Sequence, residues 1–204
     1  MEGNRIIRAA ILGAGTVGSG VYKLAGMMSE DFPNKTGARL EIKKVLVRSL
    51  NKERPGFDKS ILTDSWEEIV SDPQIDIVIE LMGGIEPART YVIEALKAGK
   101  QVVTANKDLL AEHGQEIMHA ADETGADLQF EAAVAGAIPI IRPLKQSMAG
   151  NHISEVMGIV NGTTNYILTK MTETGMSYEA ALEEATQLGY AEADPTADVE
   201  GYDA

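Results

Sequence analysis

The sequence predicts an α/β fold: a doubly wound parallel sheet followed by part of a second, α+β domain. Three observations carry this reading. Residues 6 to 18, Ile-Ile-Arg-Ala-Ala-Ile-Leu-Gly-Ala-Gly-Thr-Val-Gly, form an apolar strand that runs directly into Gly13-x-Gly15-x-x-Gly18 at the head of a helical stretch. Strand-like and helix-like segments then alternate as far as Glu131, and such alternation closes as parallel strands joined by crossover helices. Past Ala135 the alternation stops, so we place two domains at 1–134 and 135–204.

Each element follows in order. The glycine turn leads into a helix over Thr16–Met28, and Leu40–Val47, rich in Ile and Val, is the second strand. Ser65-x-x-Glu68 has the spacing of a capping box opening a short helix. Asp76–Leu81 reads as a buried strand ending at Gly83-Gly84, and Ala88–Ala98 as a helix that starts at Pro87 and stops at Gly99. Gln101–Thr104 is the next strand, His113–Thr124 the next helix, and Asp127–Glu131 a further strand. In the second domain Pro139–Met148 reads as helix, Ile153–Val160 as strand, and Thr164–Glu173 and Tyr178–Leu188 as helices before an acidic, turn-rich tail. Asp31–Gly37 and Arg54–Lys59 are the polar stretches most like linkers. The last residues fall where another helix would begin, and we expect a piece of a longer protein.

Composition bounds the partners. The 204 residues carry a formal charge of −13, which excludes an extended nucleic-acid surface because that needs clustered Lys and Arg. No apolar run is long enough to span a bilayer and no signal peptide opens the chain, so a cytoplasmic protein is expected. Cysteine is absent, which removes disulfides, thiolate metal sites and a cysteine nucleophile from this segment.

The glycine pattern, placed between strand and helix, is a dinucleotide-binding Rossmann fingerprint. Gly13 permits the tight turn, Gly15 lets backbone approach a pyrophosphate, and Gly18 allows the helix to pack against the strand. The helix start then offers its free N–H groups to phosphate. At the end of the second strand an NAD site usually carries a carboxylate for the ribose 2′-OH, but here Arg48 and Ser49 stand there, with Lys52 and Arg54 following. NADP is therefore the expected cofactor, with NAD as the alternative, since a guanidinium matches a 2′-phosphate. Lys107, in Val102-Val-Thr-Ala-Asn-Lys-Asp, lies just past a strand's carboxyl end, where such sheets bind ligands; it reads equally as a polarising cation or as a solvated lysine. Glu80, Gly83 and Gly84 end the neighbouring strand, where a nicotinamide ring could rest on bare backbone; Glu80 also reads as a simple turn carboxylate.

These residues, together with Thr104-Ala-Asn-Lys107, Phe130-Glu-Ala-Ala-Val-Ala-Gly-Ala-Ile-Pro139, Gly158-Ile-Val-Asn-Gly-Thr-Thr-Asn-Tyr166, Gly189-Tyr-Ala-Glu-Ala-Asp-Pro195 and Asp198-Val-Glu-Gly-Tyr-Asp203, resemble the amino-terminal half of homoserine dehydrogenase along essentially the whole chain. The resemblance implies reversible NAD(P)-dependent interconversion of L-aspartate 4-semialdehyde and L-homoserine on the route to threonine and methionine. It implies an α+β substrate and dimerisation domain after the Rossmann domain, and a homodimer or higher homo-oligomer. Carried over by residue, it implies cofactor contacts at Gly13, Gly15, Thr16, Val17, Gly18, Arg48, Gly83, Lys107 and Gly189, with Lys107 catalytic. It implies a homoserine pocket at Gly162, Thr163, Tyr190, Glu192 and Asp203, whose carboxylates would pair with the substrate ammonium. It further implies a monovalent cation, usually sodium, on Glu131 and the backbone of Val134, Gly136 and Ile138, an oxygen set suited to a hard ion. The plain reading of Glu131 is a capping carboxylate.

In this family a second lysine, the proposed proton donor and acceptor, follows the position of Asp203 and would fall beyond Ala204. The chain is accordingly expected to bind cofactor and to turn over poorly. Aspartate-semialdehyde and glyceraldehyde-phosphate dehydrogenases share the domain plan but work through a cysteine, which is absent here. Another small amino-acid dehydrogenase, or a cofactor-sensing binding module, are the alternatives.

Overall fold

The computed structural model describes residues 5–191 and 195–201. By internal packing the chain divides into two compact units, Met1–Ala149 and Gly150–Ala204.

The first unit is the expected α/β fold. Six strands, β1 (Arg5–Leu12), β2 (Ala38–Leu46), β3 (Leu62–Thr63), β4 (Ile77–Glu80), β5 (Gln101–Thr104) and β6 (Leu128–Gln129), form one sheet in the order β3-β2-β1-β4-β5-β6. Every neighbouring pair is parallel. The chain builds outward from β1 to β3 and then crosses to β4 on the other side of β1, so the order reverses between β1 and β4. A crevice opens at the carboxyl ends there. Side-chain alternation along β1 serves both faces: Ala10 and Leu12 join the core beneath helices α4 (Ala88–Lys97) and α5 (Lys107–Thr124), while Ile11 joins Val45 and Val47 against Val21 and Tyr22 of helix α1 (Thr16–Met27). Fully buried Ile11, Leu12, Leu96, Leu109 and Ile117 are each worth about 1.5–3 kcal/mol of apolar burial.

Several expected elements change in detail. The segment read as a linker forms helix α2 (Asp31–Thr36), closed by Gly37 at φ 73°. Helix α3 (Glu67–Val70) starts without the capping box: Trp66 is its N-cap, and Glu68 pairs with Lys44 at 2.8 Å instead of reaching back to Ser65. Helix α5 begins at Lys107, six residues earlier than periodicity suggested, because the Asn106 carbonyl-amide Oδ1 accepts the Leu109 N–H at 3.1 Å. The strand expected over Asp127–Glu131 shortens to β6, and Glu131 already belongs to a 3₁₀ turn. The helix expected over Pro139–Met148 is a short helical segment starting at Ile141 that widens to a π-type turn over Pro143–Ser147. At the sheet's amino end, buried Lys100 donates to the carbonyls of Asp72 (2.6 Å) and Ile75 (3.0 Å), and burial pushes its ammonium pKa down.

The second unit centres on a helix pair, α6 (Gly162–Thr174) and α7 (Tyr178–Gln187), followed by the single turn α8 (Thr196–Val199). Gly175, at φ 69°, ends α6, and Ser177 caps α7 through its hydroxyl. The core is small, with Ile167, Ala181, Ala185 and Ala191 buried beside Tyr166 and Leu182. Residues 153–160, expected to be a strand, pair with none among the described residues and lie exposed. Strand residue types alone do not make a strand, because its backbone donors and acceptors need a neighbouring strand.

Candidate functional site

The crevice between β1 and β4 is built from the glycine turn upward. Gly13 sits at φ +104°, where a Cβ would come within 2.8 Å of the Leu81 carbonyl oxygen, and a Cβ on Gly18 would fall 2.0 Å from the Gly13 carbonyl oxygen. Both positions are closed to any side chain. A Cβ on Gly15 would meet nothing within 4 Å, because that residue faces open space. No side chain caps the first turn of α1 and no acidic residue lies in it. The N–H groups around exposed Thr16 and Val17 therefore remain available to an anion, and the helix dipole favours one. A cleft of about 680 Å³ begins at this turn and runs past the end of β2, where Arg48, Ser49, Lys52 and Arg54 line it together with Glu53 and Asp64. Three cations against two carboxylates leave a local positive excess in a chain of strongly negative charge.

The ends of β4 and β5 form the neighbouring wall. Glu80, fully buried, accepts the Met82 N–H at 2.7 Å on one carboxylate oxygen and the Thr104 hydroxyl at 2.6 Å on the other. Thr104 Oγ1 in turn accepts the Asn106 N–H at 3.0 Å, and the Asn106 amide donates to the Gly84 carbonyl at 2.7 Å. This network fixes the turn through Gly83 (φ 70°) and the start of α5 together. Lys107 is thus the first residue of a capped helix, exposed at the carboxyl end of β5, and not a residue of a free loop.

Glu131 does what its plain reading said. Its carboxylate accepts three backbone N–H groups, from Ile140 (2.6 Å), Ile141 (2.9 Å) and Arg142 (2.7 Å). Those donors, with Ile140 and Arg142 leading, hold its pKa below the usual carboxylate value. A carboxylate has about four acceptor positions, so one remains. Between Glu131 and the N–H groups it caps, Ala135, Gly136 and Ala137 all have positive φ (57°, 48° and 75°). Two alanines in that region mark a strained loop, which bends the backbone of Val134, Gly136 and Ile138. Among the described residues no group of three or more His, Cys, Asp or Glu could hold a metal ion. An ion here would rest mainly on carbonyl oxygens.

In the second unit the Asn161 side chain accepts the Thr164 N–H at 2.7 Å and donates to Asp198 at 2.7 Å, while the Thr164 hydroxyl donates to the Asp198 carbonyl at 3.1 Å. Buried Thr163 donates its hydroxyl to the Tyr190 carbonyl at 2.7 Å, which commits that proton within the protein. Tyr190 is exposed and packs on Tyr166 with ring centroids 4.9 Å apart, and Gly189, at φ 77°, turns the chain before it. Tyr166 and Lys170 both donate to Glu184, which lowers the Glu184 pKa and raises theirs. Glu192 and Asp203, expected in the substrate pocket, lie outside the described residues.

Comparison with known proteins decides the family. The sequence pattern described as "Homoserine dehydrogenase, NAD binding domain" matches residues 13–131, more than half the chain, and that of "Homoserine dehydrogenase" matches residues 139–204. The chain belongs to the homoserine dehydrogenase family. It is 49% identical to the homoserine dehydrogenase of Bacillus subtilis over 98% of its own length and 46% of that protein, and 52% identical to that of Mycobacterium tuberculosis over 97% and 45%. Its structure resembles a homoserine dehydrogenase from Thiobacillus denitrificans (TM-score 0.85, 44% identity, covering 100% of this chain and 47% of that one). It also resembles a hyperthermophilic archaeal homoserine dehydrogenase solved in complex with NADPH (TM-score 0.78, 29% identity, covering 97% and 66%). The chain spans about half the length of the curated relatives it matches.

One residue of the homoserine dehydrogenase segment escaped sequence reasoning as a site builder. Asn106 joins the β4 turn to the start of α5, and an asparagine directly before a helix was the available signal. Glu80 was legible as a turn carboxylate, and it accepts the Met82 N–H two residues on, whereas only the sheet brings Thr104 to it.

Proposed function

We propose that this chain carries the dinucleotide half of a homoserine dehydrogenase, an oxidoreductase interconverting L-aspartate 4-semialdehyde and L-homoserine on the way to threonine and methionine, with NADP preferred over NAD. One observation supports this most: the first turn of α1, which no side chain caps, and the Arg48 end of β2 open into the same cleft, and Arg48 stands where an NAD site carries a carboxylate. Gly13, Gly15, Thr16, Val17 and Gly18 hold the diphosphate, Arg48 the adenosine ribose end, and Gly83 the nicotinamide end. When bound, the nicotinamide exchanges a hydride with the carbonyl carbon. Lys107 holds its ammonium at the β5 end to stabilise the oxygen left negative by hydride addition. In the second unit Gly162, Thr163 and Tyr190 belong to the substrate side, with Glu192 and Asp203 supplying carboxylates for the substrate ammonium, and Gly189 contacts the cofactor. The domain assignment goes with this reading: 1–134 for the dinucleotide, 135–204 for the start of the substrate domain.

A monovalent cation such as sodium fits Glu131 and the carbonyls of Val134, Gly136 and Ile138, because the set is all oxygen and Glu131 keeps one acceptor position. It would brace the strained loop and supply charge without redox chemistry.

Titration of the chain with NADPH and NADH by reduced-nicotinamide fluorescence, with and without L-homoserine, tests the reading. Tighter binding of NADPH, together with an effect of homoserine on that binding, is expected. Tight cofactor binding on which homoserine has no effect favours the cofactor-sensing module instead.

A further inference from the structure

The three cations after β2 are not held alike. Arg48 and Lys52 are exposed at the cleft, whereas Arg54 is half-buried. Arg54 Nη1 donates to the carbonyl oxygens of Ser49 (2.8 Å) and Lys52 (2.9 Å). One guanidinium nitrogen therefore bridges two peptide groups of the same loop, each directly next to or part of a residue that lines the cleft. Inside that loop the Asn51 N–H donates to the Ser49 hydroxyl at 3.3 Å. The Arg54 carbonyl accepts the Phe57 N–H at 3.3 Å, and the Phe57 ring stacks on Tyr22 of α1, centroids 4.7 Å apart and planes 23° from parallel. A continuous set of contacts thus runs from the backbone of Ser49 and Lys52, through Arg54, to the helix whose first turn faces the cleft.

We propose that Arg54 is a positioning residue for cofactor discrimination. It clamps the loop 48–54 in the shape that presents Arg48, Ser49 and Lys52 to a ribose 2′-phosphate, and it acts through that loop and not as a phosphate ligand. The inference rests on the NADP reading above. Its physical basis is preorganisation: an exposed loop with two free cationic side chains would otherwise be ordered at the expense of binding. An arginine suits the task because its always charged guanidinium carries two N–H donors on Nη1, one for each carbonyl, and makes charge-assisted bonds with both. A cofactor without the 2′-phosphate gains nothing from the loop's shape, so only NADPH should report the clamp.

The test is fluorescence titration of NADPH and NADH into the wild-type chain, Arg54→Ala, Arg54→Met, Arg48→Ala/Lys52→Ala, and the triple variant, with urea midpoints recorded for each. Arg54→Ala is expected to weaken NADPH by about ten-fold and NADH by less than about two-fold. Arg54→Met, which keeps an unbranched stem but has no donor for either carbonyl, should lose nearly as much NADPH affinity, and it carries the comparison alone if the alanine variant does not fold. Adding Arg54→Ala to Arg48→Ala/Lys52→Ala should change NADPH binding by less than about two-fold, since residues acting as one unit are non-additive. A full additional loss in that background identifies Arg54 as a ligand and overturns the proposal. So do equal losses for NADPH and NADH, or full NADPH affinity in Arg54→Met. A wild-type chain that binds both cofactors alike removes the NADP preference and the proposal with it, and one that binds neither overturns the dinucleotide reading itself.

Discussion

β1 and residues 153–160 invite comparison, because both are mostly apolar with branched aliphatic side chains and both read as strands. β1 pairs with β2 on one side and β4 on the other, and its last four residues are completely buried. Residues 153–160 pair with no strand among the described residues, and Met157 and Val160 are 83% and 76% exposed. The same residue types thus give a core in one unit and an open, apolar surface in the other. Neighbours make the difference: a strand's backbone groups and its two faces are satisfied only by what lies beside and above it. A parallel sheet such as the first unit's supplies both.

The largest expected effect breaks the β1 side of that comparison. Gly18→Ala puts a methyl 2.0 Å from the Gly13 carbonyl oxygen. Helix α1 must then lift from β1, at a cost of about 3 kcal/mol or more, read as a lowered urea midpoint. Gly15→Ala is its control. With φ −81° and nothing within 4 Å of its Cβ, it should fold normally, yet bind NADPH more weakly because the methyl projects into the cleft. Normal stability in Gly18→Ala would show that the turn is looser than the structure has it.

A pair of caps sharpens the comparison at intermediate size. Asn106 and Asn161 both cap a helix through Oδ1, at Leu109 and Thr164. Replacing either by alanine should cost about 1 kcal/mol in the urea midpoint. Only Asn106→Ala should also weaken cofactor binding, because its amide holds the Gly84 carbonyl in the crevice wall. Equal loss of cofactor affinity in both variants would contradict the division of roles.

The smallest effect is a pH dependence. Glu131 in the first unit and Glu184 in the second both have folded pKa values below their ordinary ones, the first through backbone N–H groups and the second through Lys170 and Tyr166. A carboxyl with a depressed folded pKa binds fewer protons folded than unfolded. Its contribution is therefore complete above the unfolded value of about 4.3 and drains as pH falls through the folded value. Urea midpoints should decline as pH is lowered from about 5 to about 3. The raised pKa of Lys170 works the other way, adding stability that is lost only as pH rises above the ordinary lysine range. Glu184→Gln should flatten part of the acid decline and leave cofactor binding unchanged. An unaltered acid limb in that variant would remove Glu184 from the account.

Local signals made much of the first unit legible. A three-glycine turn after an apolar run specifies strand, turn and helix within about a dozen residues, and the structure places all three there. The glycines after α2, α4, α5 and α6 stop their helices through left-handed backbone, a property of the residue itself. Where expectation and structure part, a distant partner intervened: Lys44 drew Glu68 out of a capping box.

The division between what the chain alone determined and what tertiary structure decided follows the range of the forces. Sequence determined the α/β alternation, the fingerprint, the cationic end of β2 and, by resemblance, the family, because each depends on residue type and short spacing. Tertiary structure decided that Glu80 binds Met82 and Thr104, that Asn106 ties the Gly84 turn to Lys107, and that Arg54 faces carbonyls while Arg48 faces the cleft. A polar side chain taken from water must find whichever partner the fold brings within about 3 Å. Which partner that is cannot be read from spacing when the two lie twenty residues apart or when several cations share one loop.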